Sequence, residues 1–133
     1  TSDVMAGAPP PGERGWRLLV DEGNGKNTML LLSHAAVSTS GNARQMAKIG
    51  GAEYSHVLDP RTGLGMTEGR QVSVQAPSAA LADALATAGN VMREEDFRSL
   101  AARLPGVSVP AFFRSSSRFA EGTQEQDGAR RPR

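Results

Sequence analysis

Residues 71–76, Gln-Val-Ser-Val-Gln-Ala, alternate strictly between polar and apolar side chains and run straight into Pro77-Ser78, after which no proline occurs until Pro105. A period of two puts Val72, Val74 and Ala76 on one face and Gln71, Ser73 and Gln75 on the other, the pattern of a half-buried strand. Serine is a favoured helix N-cap, so the strand hands over to a helix predicted over 79–92. Within it Leu81, Leu85, Ala88 and Met92 recur at i, i+4, i+7 and i+11, a stripe expected to face the core. Alanines at 79, 80, 82, 84 and 86 leave the other sides thin enough for backbone or a ligand to approach. Gly89 weakens the last turns by up to ~1 kcal/mol. A second, shorter helix is predicted over 94–104, stopped by Pro105-Gly106, with a last strand over 107–113.

Upstream, Ala8-Pro9-Pro10-Pro11-Gly12 must be an extended or turning connection, because proline locks φ and withholds a donor. Residues 16–20 and 28–32 read as two strands joined through Asn24-Gly25, a hairpin. A further short strand over 35–39 ends in Ser40-Gly41. Between 42 and 49 the signals conflict: Ala43, Met46 and Ala47 have helical spacing, whereas Gly50-Gly51 looks like a hairpin turn into 54–58. The fold class expected is α+β, with short, largely antiparallel strands packed on one main alanine-rich helix plus a second shorter helix.

A chain of 133 residues supports one domain with a core, and 15 glycines and 8 prolines exclude a long helical bundle. With 15 Lys+Arg against 14 Asp+Glu the net charge of +1 provides no field for nucleic acid or an anionic membrane, so neither is expected as a partner. The absence of cysteine excludes disulfides, a thiolate nucleophile and Cys-ligated metals. The longest apolar runs are Met29-Leu30-Leu31-Leu32 and Ala79-Ala80-Leu81-Ala82, far short of a membrane span of ~20 residues. The chain opens on Thr1 without a targeting pattern. Composition changes at Arg114: the expectation is a domain over 1–113 and a disordered tail over 114–133.

Two constellations carry chemistry. Asp83 and Thr87 lie four apart, side by side on one face of the predicted helix and opposite the leucine stripe. A carboxylate and a hydroxyl there are hard oxygen ligands of the type Mg²⁺ uses while keeping positions for water and phosphate; the same pair is also ordinary on a solvated helix. In His56-Val57-Leu58-Asp59-Pro60-Arg61-Thr62-Gly63, an imidazole, a carboxylate, a guanidinium and a hydroxyl crowd a loop shaped by proline and glycine. Two readings stand. His56 or Asp59 acts as general base with Arg61 on phosphate, or Asp59 accepts backbone N–H bonds and pairs with Arg61 in a structural turn. The hydroxyls of Ser38-Thr39-Ser40-Gly41 offer donors at a strand end, and His34 reads as a surface residue.

Taken in order, Ala36-Val37-Ser38-Thr39-Ser40-Gly41, His56-Val57-Leu58-Asp59-Pro60-Arg61-Thr62-Gly63, Val72-Ser73-Val74 and Ala82-Asp83-Ala84-Leu85-Ala86-Thr87-Ala88 resemble the C-terminal part of the ApbE-type FAD:protein FMN transferases, over about residues 3 to 110. The resemblance implies cleavage of FAD at its pyrophosphate and attachment of FMN through a phosphoester to a Thr or Ser hydroxyl of an acceptor protein. It implies that Asp83 and Thr87 bind Mg²⁺ and that His56, with Asp59, serves catalysis. Thr39, Ser40, Gly41, Arg61, Thr62 and Gly63 are then expected to line the flavin-nucleotide cleft. Family members carry a large N-terminal portion, so this chain is expected to contribute the C-terminal half of a site whose N-terminal half is missing. A truncated, non-catalytic nucleotide-binding fragment is the competing reading. The resemblance suggests the bacterial periplasm or the outer face of the cell membrane.

Overall fold

The computed structural model describes residues 2–41 and 46–118. Their elements run β1 (Ser2–Ala6), β2 (Trp16–Asp21), β3 (Asn27–Leu32), β4 (Ala35–Gly41), β5 (Met46–Ile49), β6 (Ala52–Ser55), β7 (Glu68–Ala76), α1 (Ala79–Val91), α2 (Glu94–Ala102) and β8 (Ser108–Arg118). The class is α+β, as the strand-to-helix switch at Pro77 required. An antiparallel sheet of order β1-β4-β7-β8 is flanked by two small hairpins, β2-β3 and β5-β6.

The register of β4 on β7 pairs Ala36 with Ala76, Ser38 with Val74 and Ser40 with Val72, so these six share one face. The helices cover it: Val72 and Val74 pack with Leu85, Ala86 and Phe97, and Ala36 and Ala76 with Ala82. The other face carries Val37, against which Val20 and Leu32 of the β2-β3 hairpin pack. The sheet is therefore the middle of three layers; on β7 the face of Val72, Val74 and Ala76 is buried as the alternation predicts, while on the polar face Ser73 is buried and Gln71 and Gln75 stay partly exposed.

Helix α1 starts as expected, with Ser78 Oγ accepting the Leu81 N–H at 3.3 Å. Its buried face differs. Ala82, Leu85, Ala86, Gly89 and Asn90 are buried, while Leu81 is 36% exposed, so the core side is rotated by roughly a quarter turn from the leucine stripe. The reason is distance: Ala82, Ala86 and Gly89 let the helix lie close on Ala36, Ala76 and Val72, and a Cβ on Gly89 would come within 2.8 Å of Val72 Cγ1. Leu85 and Met92 turn instead toward Phe97, Leu100 and Phe112.

Buried polar groups lock the C-terminal end of α1. Asn90 is fully buried, and its Nδ2 donates to Ser40 O at 3.2 Å and Ala86 O at 3.0 Å. Arg70 Nη1 donates to the carbonyls of Asn90 and Met92, at 3.2 and 2.7 Å, where a helix end leaves acceptors open and favours positive charge. Glu68 holds Arg70 from the other side at 3.0 Å.

The open segment resolves as a hairpin from Met46 onward: Gly50 and Gly51 have φ of 59° and 85°, the paired left-handed residues that suit the twist of a two-residue turn. Residues 42–45 lie outside the described residues. The last strand continues to Arg118, beyond the expected change at Arg114. Its pairing with β7 slips between Ser73 and Gln75, opposite Pro110, whose ring nitrogen cannot donate to the ladder; β8 accommodates it as an edge strand. The remainder of the expected tail, residues 119–133, lies outside the described residues.

Candidate active site

The loop after β6 closes on itself. Ser55 N–H donates to Met66 O and Met66 N–H to Val57 O, both at 2.9 Å, and Leu58 bridges to Gly65. Gly65 is obligatory, since a Cβ there would collide with the Ser55 carbonyl oxygen. At the tip, Asp59 O accepts from the N–H groups of Thr62 at 3.1 Å and Gly63 at 2.8 Å, while Asp59 N–H donates to Leu64 O at 2.8 Å. Gly63 takes φ of 71°, which suits a residue without Cβ.

The Asp59 carboxylate is committed to this tip. Its Oδ1 accepts both the Arg61 N–H and Nε at 2.9 Å, and Oδ2 accepts Nη2 at 2.7 Å. The side-chain bonds from Arg61, and then its backbone N–H, hold the Asp59 pKa down at about 2, and the Arg61 pKa rises in response. A carboxylate so stabilised is a poor base near neutral pH and an effective loop lock. The structural turn is therefore formed, with Arg61 as its cation.

His56 is exposed and, among the described residues, makes no hydrogen bond to Asp59. It lines a cleft of ≈ 640 Å³ between the β5-β6 hairpin and the loop, together with Met46, Ile49, Tyr54, Leu58 and Leu64. Of the residues chosen from sequence, only His56 and Gly63 line this cleft. Its apolar walls were missed, because they come together only when the Gly50-Gly51 turn folds β5 back beside the loop.

Thr39, Ser40 and Gly41 are the last three residues of β4, at the strand end as expected, and each is paired with β7, opposite Ser73, Val72 and Gln71. Thr39 Oγ1 shares a 2.8 Å bond with Ser73 Oγ, and Ser40 is buried with its carbonyl taken by Asn90. A Cβ on Gly41 would meet its neighbours at 3.6 Å, an ordinary contact, so crowding does not explain the glycine. Thr62 Oγ1 accepts the Leu64 N–H at 3.3 Å within the loop.

Asp83 and Thr87 project from the exposed flank of α1, away from Leu81 and Leu85. Neither side chain has a hydrogen-bonding or ionic partner among the described residues, so both oxygens are available. No group of three or more His, Cys, Asp or Glu side chains able to hold a metal occurs among the described residues. The pair thus fits a cation that takes one carboxylate and one hydroxyl from this chain and its other ligands from water, phosphate or further backbone, the habit of Mg²⁺.

The four-stranded sheet, the helices on one face and the hairpin on the other define an α+β protein. A family model described as the ApbE family matches residues 2–111, and the chain belongs to that family. It is 38% identical over 112 residues to a FAD:protein FMN transferase of Rhodobacter capsulatus, covering 82% of this chain and 21% of that protein. A FAD:protein FMN transferase of Chlamydia pneumoniae is 40% identical over 89 residues, covering 64% and 27%. Among solved structures, the apo flavinyl transferase ApbE of Pseudomonas stutzeri superposes with a TM-score of 0.63 at 26% identity, over 87% of this chain and 40% of that one. The ApbE protein of Thermotoga maritima gives 0.61 at 32% identity, over 82% and 38%. The chain spans a quarter or so of the curated relatives and about two fifths of the solved neighbours.

Proposed function

We propose that this chain supplies the C-terminal half of an FAD:protein FMN transferase site, the membership of residues 2–111 in the ApbE family being the observation that carries the reading. The reaction forms a bond from an acceptor Thr or Ser oxygen to the FMN phosphorus and breaks the pyrophosphate bond, with AMP leaving. His56, exposed at the cleft mouth and free of Asp59, takes the acceptor hydroxyl's proton. Asp59 and Arg61 serve as positioning residues that hold the loop bearing His56, and Thr62 and Gly63 complete that turn beside the nucleotide. Thr39, Ser40 and Gly41, at the end of β4, contribute to binding the flavin nucleotide. Asp83 and Thr87 would hold Mg²⁺, which would supply positive charge to offset that of the pyrophosphate. FAD is the donor and an acceptor protein the partner; a site in the periplasm or on the outer face of a bacterial membrane goes with the same reading.

The test joins this chain to the N-terminal region of a relative and follows acceptor-peptide mass on adding FAD. A mass increase matching FMN, lost with EDTA and with His56→Asn, is expected. No transfer by the joined protein under conditions where the intact relative transfers would favour a non-catalytic fragment.

A further inference from the structure

The β2-β3 hairpin is apolar on both faces. Val20 and Leu32, with Leu18 and Leu30, turn inward onto the sheet. On the outer face the register sets Leu19 directly opposite Met29 and Arg17 opposite Leu31. Leu19, Met29 and Leu31 are 56%, 61% and 47% exposed on this one face, whereas Trp16, opposite Leu32 in the register, belongs to the other face, its Nε1 bonded to Ala8 O at 2.9 Å. Strands that read as continuous apolar runs, here Leu18-Leu19-Val20 and Met29-Leu30-Leu31-Leu32, are the kind that sheets bury on both sides. Arg17, tied to Glu13 at 3.8 Å, gives the patch a charged rim.

We infer that the outer face of this hairpin is an internal layer of a larger assembly, covered by an apolar sheet or helix face from the part of a flavin transferase domain that lies outside residues 2–111. The length of the solved neighbours supports this occupant over a second copy: this chain accounts for 40% and 38% of them, leaving more than half of each to pack against the shared unit. The hairpin thus becomes the fourth layer's floor rather than the molecule's outer skin.

The chain has no cysteine, so a single thiol reports the face cleanly. Met29→Cys places it in the patch and Lys26→Cys at the exposed turn beside it. With the polypeptide of the Pseudomonas stutzeri flavinyl transferase outside the matched region as probe, maleimide labelling of Met29→Cys should slow at least about tenfold while Lys26→Cys is unaffected, because thiol reactivity follows access. Adding Leu19→Asp should abolish the protection and leave the circular dichroism of the isolated chain unchanged. Unchanged labelling of Met29→Cys up to millimolar probe overturns the inference. Protection that depends on the concentration of this chain alone also overturns it, and assigns the face to a second copy. The readout requires neither FAD, metal nor turnover, so its failure is distinct from a failure of FMN transfer.

Discussion

Single side chains separate what holds the loop from what acts in it. The folded-state pKa of Asp59 lies below its ordinary 3.8, so the ionised carboxylate favours the closed loop above about pH 3.8, and that contribution is lost as pH falls through about 2. Arg61→Met should return the Asp59 pKa toward 3.8, measured by carboxyl NMR titration; no change would remove Arg61 as the cause. On α1, Asp83→Asn keeps shape but removes charge, whereas Thr87→Val removes one neutral ligand. In the joined transferase the first should lower FMN transfer by at least ~100-fold and the second less, with partial recovery at raised Mg²⁺. Thermal melting without metal should barely move for either exposed position, and equal, near-normal transfer would return the pair to ordinary helix surface.

Elements are positioned by the size of what lies between them. Gly89→Ala gains up to ~1 kcal/mol of helix propensity. Its new Cβ would sit 2.8 Å from Val72 Cγ1 and 3.1 Å from the Phe97 ring. Overpacking of this kind costs about 1–3 kcal/mol, so the net effect should be destabilising in urea unfolding. The helix face makes a second prediction: Leu85→Ala should cost about 2–5 kcal/mol, whereas Leu81→Ala, at the exposed edge, should cost under about 1 kcal/mol. Equal losses would restore the leucine stripe as the core side.

For the whole molecule, the cleft beside His56 is open, with Ile49, Leu58 and Leu64 each more than half exposed. Small-ligand sites bury most of the ligand, and this chain covers about two fifths of its solved neighbours, so FAD should bind the isolated chain more weakly than about 100 μM by flavin fluorescence titration. Micromolar binding would show that the residues described here already enclose the nucleotide.

The sequence by itself determined whatever depends on local chemistry alone: the alternation of β7 and the Ser78 cap follow from φ and hydrogen-bond preferences of neighbouring residues, whereas before the Gly50-Gly51 turn local signals conflicted and the Asp59 to Gly63 loop admitted two readings. It also determined the i, i+4 adjacency of Asp83 and Thr87, because helical geometry alone sets it. Tertiary structure decided the rest. Which side of α1 is buried depended on how closely Ala82, Ala86 and Gly89 could approach Ala36, Ala76 and Val72, a match of volumes between the helix, the neighbouring β7 and the more distant β4. The burial of Ser73 on the polar face of β7, the Arg70 and Asn90 clamp on the end of α1, and the apolar cleft at His56 likewise exist only once distant strands pair. Periodicity reports that a residue is apolar, but not what it will meet; contact between distant segments is settled by shape and by the need to satisfy buried polar groups.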